Sequence, residues 1–155
     1  MQRRSLFAAA GGILLLPFTA RIATATSKVP RQTRRHSVAF HVDVNDPALM
    51  TMALHNVSNL ASFYSGKGDE VAIELVAYGP GLHMLRADTS PVKAEIKSIA
   101  ESIPGTVFSA CHNTRAAMAK REGKEIPLLP QAREVPAGVV RLVELQEQGW
   151  SYVKP

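Results

Sequence analysis

Short runs of β-branched and apolar residues alternate along this chain with segments whose apolar positions recur every three to four residues, and few folds satisfy that alternation. "HSVAFHVDV" at 36–44 alternates and is rich in Val and Phe, which predicts a strand. "EVAIELVAY" at 70–78 predicts a second, nearly continuous in apolar residues after Glu74, and "TVFSA" leading to Cys111 predicts a third. "WSYVKP" at 150–155 closes the chain as a further strand. Between the first two, Leu49, Met52, Ala53, Val57, Leu60 and Ala61 form one stripe of a helix that Asp46 caps and Pro47 opens, running to about Phe63. Residues 91–102 place Val92, Ile96 and Ile99 on one side of a second helix. "RAAMAKRE" is a third, with Asn113 or Thr114 as its cap and Gly123 at its end. Residues 126–137 are a proline-punctuated connection, and 138–148 are an amphipathic helix.

Strands joined one by one through helices predict a parallel sheet with helices on both faces. The expected fold is therefore a small three-layer α/β domain of at least four strands. Ligands in such sheets gather at the carboxyl ends of strands, where this sequence places two loops, "YGPGLH" at 78–83 and "CHNT" at 111–114.

The first 25 residues, "MQRRSLFAAAGGILLLPFTARIATA", have the charged, apolar and small-residue parts of an export signal. Arg3 and Arg4, followed by Ser5, Leu6 and Phe7, resemble the twin-arginine type, and cleavage after Ala25 is expected. The apolar run from Leu6 to Ala20 is short for a bilayer span, so a cleaved signal is preferred to a retained anchor. The expectation is a periplasmic protein with no stable membrane span after cleavage. Residues 26–35 read as a basic mobile leader and 36–155 as the domain. The formal charge of +5 falls to +2 without the signal, and beyond the leader 11 Lys and Arg face 13 Asp and Glu. That balance leaves no basic face for nucleic acid.

The chain has one cysteine, so no intramolecular disulfide can form, and an exported protein is left with a free thiol. Cys111 precedes a helix start, where unpaired N–H groups favour an anion, with His112 adjacent and His83 in the neighbouring loop. It reads either as a reactive thiol or as a small buried residue of the kind free cysteines commonly are. The glycines of "GPG", Gly79 and Gly81, offer amides that cradle an anion or make a tight turn. Together with His83, His112, Asn113 and Thr114 they form the candidate anion or substrate site around Cys111. The five histidines, at 36, 41, 55, 83 and 112, show no metal-binding spacing, and no metal or cofactor is expected. No orienting acid follows Cys111 and His112, which disfavours a Cys-His hydrolase.

"VAYGPGLHML" at 76–85, "ACHNT" at 110–114 and "VPAGVVRLVELQEQGWSYVKP" at 135–155 resemble the DsrE/DsrF-like family, in its small single-domain branch. The resemblance extends over residues 36–155. It implies a parallel α/β fold that assembles into trimers or hexamers. It also implies that Cys111 carries sulfur as a persulfide, exchanged with a donor or acceptor protein. The chain departs from such relatives in having no second cysteine and in its export signal. The alternative function is a non-catalytic oligomeric module that binds a small anion or a protein partner.

Overall fold

The computed structural model describes residues 31–155. The export signal read over residues 1–25, and residues 26–30 of the leader, lie outside the described residues. Within the unit from Gln32 to Pro155, five strands form one sheet: β1 (Arg35–Val42), β2 (Glu70–Ala77), β3 (Thr106–Cys111), β4 (Ala132–Val135) and β5 (Ser151–Val153). Their order is β4-β3-β2-β1-β5, and every neighbouring pair is parallel. The helices are α1 (Pro47–Gly66), α2 (Lys93–Ser102), α3 (His112–Glu122) and α4 (Gly138–Glu147), with a 3-10 helix over Gly79–Leu85. This is the parallel α/β sheet flanked by helices that the alternation predicts.

Chain direction decides which face each helix covers. Parallel crossovers are right-handed, and the steps from β1 to β4 all run one way, so α1, α2 and α3 lie on one face. The return from β4 to β5 runs the other way and carries α4 to the opposite face. Burial follows suit. Val38, Phe40, Val42, Ile73, Leu75, Phe108 and Ala110 pack with α1, α2, the 3-10 helix and Met118 of α3 in the main core. Their strand neighbours Ala39 and Val76 point the other way, into a small second cluster with Leu142 and Leu145 of α4.

The second face carries a charge in its middle. Glu74 is 1% exposed. Its carboxylate accepts from Ser109 Oγ at 2.6 Å and Arg133 Nη2 at 2.8 Å, and from Arg141 Nε and Nη2 at 2.8 and 2.9 Å. Burial alone would raise the Glu74 pKa, but these donors outweigh it and hold the carboxyl below its ordinary value. Arg141 lies on α4, so the cluster fastens that helix to β2. A second buried charge, the Arg86 cation, follows the 3-10 helix and pairs with Asp88 and with Glu122 at the end of α3.

The start of α1 is as the sequence predicts, Asp46 Oδ1 accepting from the N–H groups of Ala48 and Leu49. Its buried stripe, however, is Met50, Ala53, Leu54, Val57 and Ala61, and the expected Met52 is exposed. Local structure differs from the sequence reading at three further places. The "GPGLHML" loop is helical. The cap of α3 is Cys111, not Asn113 or Thr114, because β3 passes into the helix with no intervening loop. The proline-punctuated connection contains β4, whose Val135 pairs with Cys111. No helix among the described residues is long and apolar enough to cross a membrane.

Glu74→Ala leaves Arg141 without its main partner and is expected to destabilise the fold by about 3 kcal/mol in urea unfolding. Arg133→Ala, at a half-exposed side chain, is expected to cost less. Because the folded-state pKa of Glu74 is depressed, its contribution is present above the ordinary carboxylate pKa and is lost as pH falls through the folded value. The stability gap between wild type and Glu74→Ala should therefore narrow in acid.

Candidate functional site

The connection leaving β3 turns to the three-helix face, and the one leaving β4 turns to the α4 face. Their carboxyl ends therefore part, which is where open α/β sheets form a crevice. Cys111 and Val135 are the paired residues at that point. Cys111 belongs to both elements that meet there, as the last residue of β3 and the N-cap of α3, with φ −70° and ψ 117°. It is 5% exposed.

The sulfur accepts a hydrogen bond from the Thr114 N–H at 3.5 Å. Burial pushes the thiol pKa up. The Thr114 hydroxyl and the N–H groups of Gly138, Thr114 and Asn113 pull it down, and the net position is below the ordinary thiol value. The bond that the geometry fixes is from the Thr114 N–H in the first turn of α3, and Gly138, at the start of α4, adds to the same lowering. The arrangement favours a thiolate, the form in which a cysteine attacks sulfur and leaves from it.

Thr114 also joins the two strand-end loops. Its Oγ1 accepts from the Gly79 N–H at 3.0 Å, which leaves its own hydroxyl proton for the sulfur. Gly79 has φ +52°, a conformation that favours glycine. Gly79, Pro80, His83 and Thr114, with Asn45 and Arg121, line a cleft of about 290 Å³ beside the α3 N-terminus. Gly81 has a different role: a Cβ there would lie 2.3 Å from the Val42 carbonyl oxygen, so it is a packing contact against the end of β1.

The remaining candidates are held by other partners. His83 Nδ1 is hydrogen-bonded to Thr89 Oγ1 at 2.9 Å, and burial together with Arg86 lowers its pKa. His112 is exposed and paired with Glu134, which Arg115 also holds. Neither histidine is among the groups that bond the sulfur. Asn113 donates its N–H to the Pro136 carbonyl at 3.3 Å, tying α3 to the connection before α4.

Sequence reasoning missed a second group on the α4 side of the sheet. His41 is 5% exposed. It stacks on Tyr78 with centroids 4.6 Å apart, and its Nδ1 lies 2.7 Å from the Tyr152 hydroxyl. Lys154 Nζ donates to Asp43 Oδ2 at 2.7 Å. The signal was present as alternation: in "HSVAFHVDV" His41 shares a face with Ala39. Among the described residues, no three His, Cys, Asp or Glu side chains gather as a metal site would require.

Because Cys111 is the only cysteine, the ultraviolet absorbance of its thiolate can be titrated directly against a Cys111→Ser blank. The midpoint is expected below the ordinary thiol value of about 8.5. Thr114→Val, which removes the hydroxyl and leaves the N–H, should move it upward.

No family model matches the chain, and the comparison with curated proteins found no match. Among solved structures, the chain is similar to the protein of unknown function MTH1491 from Methanobacterium thermoautotrophicum. The identity is 32%, the TM-score is 0.66, and the match covers 77% of this chain and 99% of that one. A likeness of that identity spanning the relative from end to end, on a shared parallel α/β frame, shows that this chain belongs to the same family as MTH1491.

Proposed function

We propose that the protein is a DsrE-like sulfur carrier that holds a sulfane sulfur on Cys111 as a persulfide. The observation that carries this reading is the place of Cys111 at the β3/β4 divide, as the N-cap of α3 with the Thr114 N–H bonded to its sulfur. In the loading step the Cys111 thiolate attacks the outer sulfur of a donor persulfide, R–S–SH. The donor S–S bond breaks, RS⁻ leaves with the electron pair, and Cys111–S–SH forms with no net oxidation. In unloading, an acceptor thiolate takes the outer sulfur and Cys111 departs as thiolate. A stabilised thiolate leaves readily, so the amide donors serve the second step most. With no second cysteine to resolve the persulfide, unloading requires a partner protein.

Cys111 does not line the cleft of Gly79, His83 and Thr114; Thr114, which bonds the sulfur, connects the two. The reading takes the cleft as the donor's approach, with Arg121 in its lining as a cation for an anionic donor. Export through the signal at residues 1–25 would put the exchange in the cell envelope. Incubating the mature protein with a persulfide donor should add about 32 Da to Cys111 and nothing to Cys111→Ser. Absence of that adduct on a thiol that alkylates under the same conditions would overturn the reading.

A second reading, a non-catalytic oligomeric binding module, draws on a different observation. Val139, Val140 and Val143 stand exposed on α4, with Tyr152 and Val153 of β5 also exposed. Helical residues that face water are ordinarily polar, so this apolar surface favours self-association, which the DsrE/DsrF-like resemblance would make a trimer or hexamer. Val139→Asp with Val143→Asp should reduce the mass measured by sedimentation to that of the monomer. A binding module also predicts that Cys111→Ser leaves ligand binding intact.

A further inference from the structure

Resting on the carrier reading of Cys111, we infer that Gly138 and Tyr78 are positioning residues for its sulfur: the missing side chain at 138 lets the first turn of α4 descend against the Tyr78 ring and over Cys111.

Backbone conformation does not require glycine at 138. The described glycines with positive φ are Gly68, Gly79, Gly105, Gly123 and Gly149. As the first residue of α4, after the N-cap Ala137, the position does not call for glycine by helix propensity either. What it permits is close approach. A Cβ at 138 would lie 2.8 Å from Tyr78 Cδ1, 2.9 Å from Tyr78 Cβ and 3.1 Å from Tyr78 Cγ. These atoms are the root of the side chain, which cannot swing away as a flexible tip would.

Tyr78 is fixed on several sides. It continues β2 in extended conformation, and its N–H donates to the Val42 carbonyl at 3.2 Å. The preceding pair in the ladder is Ala77 with Ala110, so Tyr78 stands at the strand end beside Cys111. Alternation turns it to the α4 face with Val76 and Glu74. Its ring stacks on His41, which is itself buried and bonded to Tyr152. A methyl at 138 would therefore push the first turn of α4 outward and leave the ring in place. The Gly138 N–H, which helps to lower the thiol pKa, would be drawn away from the strand end, while the Thr114 N–H, bonded to the sulfur at 3.5 Å from α3, would stay. The thiol then loses the lowering that the second helix supplies.

The test titrates the Cys111 thiolate by ultraviolet absorbance in the full chain, each variant against its own Cys111→Ser blank. Four proteins complete a cycle: wild type, Gly138→Ala, Tyr78→Ala and the double variant. Gly138→Ala should raise the midpoint by about half to one pH unit. The same methyl should have no effect once Tyr78 is alanine. A folded Gly138→Ala with an unmoved midpoint overturns the inference. So does a double variant shifted from Tyr78→Ala as far as Gly138→Ala is from wild type. If Gly138→Ala does not fold, the double variant must fold and titrate with Tyr78→Ala, and failure to do so overturns the inference equally. The thiolate titrates whether or not it ever carries sulfur, so this outcome is separate from that of the persulfide assay.

Discussion

The carboxylate of Glu74 holds α4 against the face of the sheet opposite the three-helix layer, and the geometry around Cys111 depends on that seating. The apolar contact beneath α4 is small. Leu142 and Leu145 are its buried helix residues in the cluster with Ala39 and Val76, and each contributes about 2 kcal/mol by burial. Fixing the backbone of the helix costs about 1 kcal/mol or more per residue before hydrogen bonds are counted. The ion cluster's contribution is mainly positional. Any seating that parts Arg141 from Glu74 leaves a buried carboxylate short of a cation, at a cost of several kcal/mol. One arrangement of α4 is therefore strongly preferred, and its first turn is delivered to the end of β3.

At that end, two requirements meet in one residue. β3 must stop so that the chain can turn to the three-helix face, and α3 must start with a group that accepts its free N–H bonds. Cys111 does both, with a sulfur in place of the usual oxygen cap. The consequence is chemical: a weak cap for a helix is a buried sulfur bonded by a helix N–H, a setting that favours its thiolate. The neighbouring acids and bases are otherwise engaged. Glu134 holds Arg115 and His112, and Thr89 is paired with His83. The thiol is thus set up by backbone dipoles, and no basic side chain bonds to it.

The helices with a clear apolar stripe were legible in the sequence, and so was the capped start of α1 at Asp46, because both are local. The role of Cys111 was partly legible: its place between strand and helix follows from residues on either side, but its service as the cap does not. β4 was not legible. It is a four-residue edge strand with one buried side chain, Val135, and it exists as a strand only because β3 lies beside it. Gly81 and Gly138 looked like loop and helix-start glycines. Their actual constraint is the Val42 carbonyl in one case and the Tyr78 ring in the other, both distant in sequence.

Alternation and spacing by themselves determined that this chain makes a parallel α/β sheet with one thiol at a strand's carboxyl end, since period and order act through near neighbours. Only the tertiary structure decided which donors reach the thiol. The histidines adjacent in sequence or in loop turn to other partners, and the start of α4 at Gly138, 27 positions after Cys111, is brought to the strand end against Tyr78 instead. The reason lies in the return crossover. It changes direction after β4, so α4 crosses the opposite face with its N-terminus at the β3/β4 divide, and no local pattern encodes that meeting.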